Sequence, residues 1–464
     1  MNPWSIEEVF RWIKRILICS DAPWSNSGYA VQVAQFAPAL AALGFDVALL
    51  TTYGLQGNIL EWHGLKCYPG GNDAFANDVI GASARDWQAD IVITLKDVGV
   101  FNPQAFQGLR WCPLVPVDHD PIPQPVIDRI HACYRPIAYA PQGFRALRAT
   151  GFDPLYCPHT YDPAVYNPQS QTEARQFLGL SDDLFIVGTV AVNRGLVPSR
   201  KAWPQNIEAF ARFAKDKPNA RYYMHTNIAD DGFEGGVPIR YYALRYGCAE
   251  KILFCDQDRY KAPGGFEPRY MNAFYNAIDV LNAVSLGEGF GIPVLEAQAV
   301  GCPVIVGDWC AHEDLCFAGW KVRKDEALRF PDNQLGDVFI PYPAAIADRL
   351  EQAYQALTMP TLVMLPPEID KEGLAQVRQE LRAFYGGPLY DSSQQLMEAL
   401  SRGVTTDRLS PDAHEHAIAG AAAYQIDRAI TDHWQPALAD LAQQIANEAR
   451  RGVLRIVRPE EVLC

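Results

Sequence analysis

Residues 285–308 read SLGEGFGIPVLEAQAVGCPVIVGD and contain two glutamates, Glu288 and Glu296, eight positions apart. A carboxylate accepts hydrogen bonds from neighbouring hydroxyl groups, so two such groups suit the ribose or the hexose of a ligand. Each of them would repel a phosphate. The spacing alone is more typical of a solvated helix face, so the residues around the two acids decide between these interpretations.

A glycine-rich stretch separates the two acids. Glu288 is followed by Gly289, Phe290 and Gly291, and Pro293 comes two positions later. Glycine lets a backbone approach a ligand closely, and proline is favoured in the first turn of a helix, where its missing N–H group would be unpaired anyway. The pattern predicts a strand, a turn and a helix whose amino end binds anions. Phosphate would then meet backbone N–H groups and cations, while the acids meet sugar hydroxyls.

The string around the acids is similar to the signature of glycosyltransferase family 4, a family with the GT-B fold. The matching positions are Ser285, Glu288, Gly289, Phe290, Gly291, Pro293, Glu296, Ala297, Ala299, Gly301, Pro303 and Val304. The resemblance implies a retaining transferase that takes a hexose-type sugar from a nucleotide-diphosphate sugar. Glu288 would contact the donor hexose, Glu296 the ribose, and residues 289–291 the donor. It also implies front-face attack in which the leaving phosphate takes the acceptor proton, so we assign no nucleophile.

Cations for the donor diphosphate come from residues 193–210, NRGLVPSRKAWPQNIEAF. In the family that this segment resembles, an Arg and a Lys neutralise the diphosphate, and Arg194 and Lys201 stand in their places. Fixed cations can stabilise the charge on a leaving nucleotide in place of a metal ion, so we expect no metal cofactor. The gap between the two cations is about two residues longer than usual, and Ala202 stands where glycine is common. Arg200 could therefore share or replace the role of Lys201.

Two further candidates lie nearer the amino terminus. The segment WCPLVPVDHD (111–120) resembles a family strand that ends in histidine, which would place His119 near the donor sugar and the acceptor. A structural loop histidine is the alternative. The segment SNSGYA (25–30) occupies the place of the family's glycine-rich first loop, where Gly28 would approach phosphates or acceptor. Ser27 stands before it instead of a second glycine.

The order of the elements predicts an α/β fold of two doubly wound, Rossmann-like domains that face each other across a cleft. Strand and helix patterns alternate twice, with a break at YCPHTYDPAVYNPQSQ (156–171) that resembles the family hinge. We therefore expect an acceptor domain over residues 1–165, a nucleotide-sugar donor domain over 166–345 and a mostly helical extension over 346–464. The last helix, within WQPALADLAQQIANEARRG, could pack back on the first domain.

Composition limits the classes of partner and compartment. The 464 residues are 49% apolar with a net charge of −14, which makes a nucleic-acid acceptor a poor fit without excluding it. No stretch of about 18 apolar residues occurs, and charges interrupt the amino-terminal segment, which argues against a membrane span and a secretion signal. The 11 scattered cysteines are typical of free thiols in the cytoplasm. Residues 1–14 could contact a membrane surface or pack on their own domain.

Three other interpretations stay open. Aspartate triplets of the form Asp-X-Asp, at 118–120 and 256–258, could hold a divalent metal, as in transferases of the GT-A fold. A GT-B nucleotide-sugar epimerase would use the same donor site without an acceptor, and a non-catalytic module would bind the nucleotide sugar without turnover. The donor base, the sugar, the acceptor and the oligomeric state are not fixed by these residues.

Overall fold

Continuous apolar runs form the strands of two parallel sheets, one in each of two compact units. The computed structural model describes residues 5–195, 197–228, 235–262, 265–332, 336–358 and 411–450. Unit 1 contains residues 5–116, 124–160 and 424–450, and unit 2 contains the described residues of 117–123 and 161–423. The long segment of unit 2 thus begins at Tyr161, inside the segment that the sequence marks as a break.

Unit 1 has an eight-stranded sheet. Its strands are β1 (Arg15–Ser20), β2 (Asp46–Thr51), β3 (Leu60–Trp62), β4 (Leu65–Tyr68), β5 (Ile91–Leu95), β6 (Trp111–Val115), β7 (Ile137–Ala138) and β8 (Leu155–Tyr156). They lie in the order β3-β4-β2-β1-β5-β6-β7-β8, and all neighbours are parallel except β3 and β4. Strands such as β5 are buried along their whole length, as expected for a sheet with helices on its faces.

Up to residue 160, the α-helices described in this unit are α1 (Ile6–Phe10), α2 (Gly28–Ala42), α3 (Ile80–Trp87), α4 (Gln124–Ile130) and α5 (Pro141–Ala149). In the segment considered for membrane contact, Val9 and Ile13 are buried and Phe10 packs edge-on against Phe45 at 5.1 Å between ring centroids. These apolar side chains therefore pack within unit 1, and residues 1–4 lie outside the described ranges. Across the described residues, no helix is both long and apolar enough to cross a bilayer.

Unit 2 has a six-stranded sheet and a separate hairpin. The strands are β9 (Phe185–Val190), β10 (Ala220–His225), β11 (Ile252–Phe254), β12 (Val280–Asn282), β13 (Val304–Gly307), β14 (Gly319–Val322), β15 (Ala327–Pro331) and β16 (Asp337–Pro341). The sheet is parallel in the order β11-β10-β9-β12-β13-β14, whereas β15 and β16 pair with each other in antiparallel fashion. The sequence patterns do not predict this hairpin.

The helices of unit 2 are α6 (Gln171–Leu178), α7 (Trp203–Phe213), α8 (Ile239–Arg245), α9 (Gln257–Lys261), α10 (Pro268–Ala277), α11 (Ile292–Ala299), α12 (His312–Leu315), α13 (Pro343–Thr358) and α14 (Pro411–Ala422). Trp203 and Phe210 of α7 are fully buried in a core that also takes Leu350 of α13. Residues 359–410 of the expected helical extension lie outside the described residues.

The chain returns to unit 1 through α15 (Ile426–Ala429), a π-helical turn (Ile430–Trp434) and α16 (Gln435–Arg450). Trp434 stacks on Phe36 of α2 at 5.1 Å between ring centroids. The hydroxyl of Tyr134 donates a hydrogen bond of 2.8 Å to Glu448. Both units are α/β structures built on parallel sheets, and the predicted fold class is confirmed.

Candidate functional site

Glu288 follows β12 and binds both cations that the sequence places before α7. Its Oε2 accepts a hydrogen bond from Nη1 of Arg200 at 2.7 Å, and its Oε1 accepts one from Nζ of Lys201 at 2.6 Å. A backbone hydrogen bond, from the N–H of Leu286 to the carbonyl of Arg200 at 2.7 Å, also joins the two loops. Three of the predicted site residues therefore form one cluster.

Electrostatics keep this cluster charged. Burial alone would raise the pKa of Glu288, but Arg200 and Lys201 hold it well below its usual range. Burial and the neighbouring Arg200 lower the pKa of Lys201, against the opposing effect of Glu288. One carboxylate thus binds two cations and leaves an excess of positive charge. Each carboxylate oxygen has a further lone pair with which it can accept a hydrogen bond from a hydroxyl group.

The backbone conformation at Ala202 is one that glycine adopts more easily. It is the N-cap of α7, has a φ of +50° and is fully buried, where it packs on Leu286 and Val338. A left-handed conformation costs a residue with a Cβ about 1–2 kcal/mol. The alanine therefore accepts strain that a glycine would avoid, and the strained turn points Lys201 at Glu288.

Two glycines of the GEGFG turn allow close packing of protein on protein. A Cβ on Gly287 would collide with the carbonyl oxygen of Asp118. Gly291 is the N-cap of α11 with a φ of +108°, and a Cβ there would collide with Nε2 of His312. Gly289 and Phe290 are buried between them. The glycines thus bring the 117–123 segment and His312 against the turn that carries Glu288.

His312 is a site residue that the sequence reasoning missed. It is 3% exposed, and within the described part of the chain its Nε2 has no hydrogen-bond partner. Burial lowers its pKa to about 4, although Glu288 acts in the opposite direction. A neutral imidazole therefore lies beside the amino end of α11. Its only sequence signal is its position shortly after the GCPVIVGD strand.

Glu296 lies on α11 among tyrosines rather than cations. It is 5% exposed and accepts a hydrogen bond of 2.8 Å from the hydroxyl of Tyr275. Burial raises its pKa to about 7, against hydrogen bonds from Tyr275 and Tyr166 that lower it. Glu296 therefore changes charge near neutral pH, which the sequence did not indicate.

His119 lies between two carboxylates. Its Nδ1 is 2.7 Å from Oδ1 of Asp118 and its Nε2 is 3.0 Å from Oδ2 of Asp332, and the side chain is 4% exposed. Burial disfavours the imidazolium, but the two carboxylates raise its pKa to about 9. His119 belongs to unit 2 by its contacts, although its sequence position lies within the expected first domain. Asp332, which precedes the hairpin turn, was not among the predicted residues.

The other two predicted residues lie outside this cluster. Arg194 is exposed in the loop after β9, where the buried Asn193 fixes the backbone by hydrogen bonds to Val237 and Asn227. Gly28 is exposed at the first position of α2 in unit 1. Ser27, in the place of the second family glycine, caps α2 through a 3.1 Å hydrogen bond from the N–H of Ala30.

The aspartate triplets have partners within the protein. Asp118 pairs with His119, and Asp120 lies 3.3 Å from Nζ of Lys324. Asp256 caps α9 by accepting a 2.9 Å hydrogen bond from the N–H of Arg259. Over the described ranges, no three His, Cys, Asp or Glu side chains are grouped as metal ligands would be. These contacts give the acids structural roles. Whether the protein requires a metal is a question for experiment.

Comparison with known proteins links this geometry to a family. A family model described as glycosyl transferases group 1 matches residues 243–354, which include Glu288 and Glu296. A D-inositol 3-phosphate glycosyltransferase of Stackebrandtia nassauensis is 29% identical over 152 residues, which cover 32% of each chain. An alpha-galactosylglucosyldiacylglycerol synthase of Streptococcus pneumoniae is 25% identical over 207 residues, 43% of this chain and 48% of that protein. The chain thus spans about a third to a half of these relatives.

Solved structures match almost the whole chain. The sucrose-phosphate synthase of Thermosynechococcus elongatus aligns with a TM-score of 0.57 at 14% identity, over 94% of this chain and 99% of that one. Anabaena HepE in complex with UDP and glucose aligns with a TM-score of 0.55 at 13% identity, over 94% and 99%. Likeness at this identity concerns the fold alone. Residues 243–354 therefore carry a glycosyl transferase group 1 domain, within a chain that has the GT-B glycosyltransferase fold.

Proposed function

We propose that this chain is a retaining glycosyltransferase that moves a hexose-type sugar from a nucleotide-diphosphate sugar to an acceptor, without a metal cofactor. The observation that carries the proposal is the binding of Arg200 and Lys201 to the two oxygens of Glu288. The cluster places an acid suited to sugar hydroxyls directly beside cations suited to a diphosphate. The group 1 domain match and the glycosyltransferase relatives support the same activity.

Charge develops on the diphosphate as the bond from the sugar to the leaving oxygen breaks. In the proposed reaction, Arg200 and Lys201 stabilise that charge, since cations already held in place by Glu288 need little reorganisation during the step. Unit 2 binds the donor, with Glu288 at the hexose and Glu296 at the ribose. Retention follows from the resemblance to family 4, with the leaving phosphate as the group that takes the acceptor proton.

Calorimetric titration with UDP, GDP, ADP and dTDP, and then with the corresponding nucleotide sugars, identifies the donor. All titrations contain EDTA. The complexes of Anabaena HepE with UDP and with UDP-glucose make the uridine ligands the first to try. We expect one nucleoside diphosphate and the corresponding nucleotide sugar to bind in the presence of EDTA. Lys201→Ala should weaken the binding of both. Binding that needs Mg²⁺ or Mn²⁺ would contradict the metal-free proposal.

Turnover separates the remaining alternatives. Incubation of the bound donor with an acceptor panel should give a glycoside, and NMR of the product should show the anomeric configuration of the donor. An epimerised nucleotide sugar in the absence of acceptor would favour the isomerase interpretation. Donor binding with neither transfer nor hydrolysis would favour a binding module.

A further inference from the structure

The hairpin of β15 and β16 lies against the segment that carries His119. The backbone N–H of Asp120 donates a hydrogen bond of 3.1 Å to the carbonyl of Asp337 in β16. Gly336, the residue before β16, is so close to His119 that a Cβ on it would lie 2.9 Å from the histidine Cβ. The hairpin therefore contacts this segment through both backbone and side chain.

Salt bridges pair the remaining charges at this contact. Arg329 of β15 binds Asp337 at 2.6 Å and also donates a 3.3 Å hydrogen bond to the carbonyl of Asp120. Lys324 lies 3.3 Å from the carboxylate of Asp120. Asp120 and Asp337 thus have cations of their own. The carboxylates of Asp118 and Asp332 are those that bind the ring of His119.

Both nitrogens of His119 are occupied, which fixes the orientation of the ring as well as its proton. Carboxylates only accept hydrogen bonds, so a ring held by one at each nitrogen must donate from both. From the other side, Arg200 and Glu288 act electrostatically on Asp118, and the thiol of Cys310, whose pKa burial raises to about 12, adjoins it. The histidine is therefore linked through Asp118 to the Arg200–Glu288 cluster.

The carbonyl of Asp118 rests on Gly287, the residue before Glu288. Any movement of the 118–120 segment would change the space over the Glu288 carboxylate. Asp118, within that segment, binds Nδ1 of His119 at 2.7 Å, and Asp332 holds the segment from the hairpin through Nε2 of the same ring at 3.0 Å. The hairpin thus has a direct mechanical connection to the place where the proposed donor sugar binds.

We propose that Asp332 is a positioning residue: the β15–β16 hairpin holds His119 between Asp118 and Asp332, and so holds the 118–120 segment against the Glu288 turn in the geometry that the donor sugar requires. This inference rests on the proposed function. It assigns to the hairpin a role in sugar binding and transfer, and it leaves the nucleotide to the other parts of unit 2. Asp332 acts through His119 and does not itself touch the donor.

The test compares Asp332→Asn, Asp332→Glu and Asp325→Asn in the full chain. Asn keeps the size of the side chain and removes its charge. Asp325 is the control because it is an aspartate that lies just before β15, pairs with Arg323 and has a side chain that is 74% exposed. NMR titration of the His119 ring, assigned with His119→Gln, follows its protonation. Calorimetry in EDTA measures the affinity for the nucleoside diphosphate and for its sugar.

In Asp332→Asn we expect the pKa of His119 to fall by about one unit or more, because one of two opposite charges is lost. The nucleotide sugar should bind about tenfold more weakly, while the nucleoside diphosphate keeps its wild-type affinity. Asp332→Glu should recover part of the sugar affinity, and Asp325→Asn should change nothing.

Two results would overturn the inference. One is a wild-type pKa of His119 in Asp332→Asn. The other is an equal loss of affinity for both ligands, which indicates general damage to the fold. A wild-type chain that binds no nucleotide of the panel refutes the proposed function, and with it a role for Asp332 in donor binding. Wild-type binding with no sugar-specific effect of Asp332→Asn refutes the positioning role alone.

Discussion

Nζ of Lys201 lies 2.6 Å from Oε1 of Glu288, and Arg200 binds the opposite oxygen of the same carboxylate at 2.7 Å. The acid orients both cations before any ligand arrives, and it neutralises only part of their charge. Preorganised charge of this kind stabilises a leaving group without the cost of moving side chains. The predictions below concern this cluster and the two helices that adjoin it.

Arg200 and Lys201 should each contribute to nucleotide binding. Arg200→Ala and Lys201→Ala are expected to weaken the affinity for the nucleoside diphosphate by about tenfold, because charge-assisted contacts with phosphate are lost. Calorimetry at two salt concentrations measures this. Arg212→Ala is the control, since Arg212 pairs with Glu208 on the exposed side of α7. Unchanged affinity in both site variants would contradict a role for these two cations in diphosphate binding.

Glu288 and Glu296 should have separable effects. Glu288→Gln is expected to lower turnover about a hundredfold, while nucleoside diphosphate affinity stays equal or rises because two cations lose their internal partner. Glu296→Ala should weaken the affinity for the nucleoside diphosphate, since a contact with ribose is lost. Parallel calorimetry and rate measurements distinguish the two. The division is wrong if Glu296→Ala binds the nucleotide as well as the wild type.

Glu296 should make stability depend on pH. Its pKa is about 7 in the folded chain against an ordinary value of 4.5, so the folded chain keeps a proton that the unfolded chain releases. Stability therefore falls as pH rises from 4.5 to 7, by about 3 kcal/mol at most, since one pKa unit is about 1.4 kcal/mol.

Glu296→Gln removes this titration. Relative to the wild type, its urea midpoint should rise between pH 5 and pH 8. Glu250→Gln, at an exposed glutamate, is the control and should show no such change. A difference between variant and wild type that is constant over this range would contradict a raised pKa at Glu296.

Gly291 should be intolerant of a methyl group for two reasons. Gly291→Ala adds left-handed strain and a collision with His312, whereas Gly179→Ala, at a φ of +70° with open space around it, adds strain alone. We expect a loss of about 1 kcal/mol at Gly179 and about 2–4 kcal/mol at Gly291. Urea unfolding measures both, and His312→Ala in a double-mutant cycle should recover part of the larger loss. Equal losses at the two glycines would show that the collision relaxes freely.

Local patterns predicted the parts of the fold and site that depend on local sequence. β1 and β5 follow from apolar runs covered on both faces, and the turn before α11 follows from its glycines and Pro293. The resemblance named Glu288, Lys201 and Arg200 as separate donor-site candidates, and the contact of Glu288 with both cations is what the structure adds. The capping role of Ser27 explains in physical terms why its loop can lack a second glycine.

Contacts between residues distant in sequence could not be predicted in this way. Asp332 lies 213 positions after His119, and the FPDNQLGD stretch around it is typical of a loop rather than a hairpin. The raised pKa of Glu296 depends on its burial, and Tyr166 and Tyr275, whose hydrogen bonds oppose that rise, come from separate segments. Burial and non-local hydrogen bonds set these properties, and no spacing in a single sequence encodes them.

The return of α16 to unit 1 has a consequence for biosynthesis. Phe36 packs on Trp434 and Tyr134 binds Glu448. A chain cut at Thr160 would therefore lack contacts that unit 1 makes with residues near the end of the described chain. Domains generally fold in order as the ribosome releases them. Here the order of completion is the opposite of the order of synthesis. All residues of unit 2 have been synthesised once Ala423 has emerged, whereas unit 1, which contains β1, still lacks α15 and α16. Premature termination would therefore damage first the unit that was translated first.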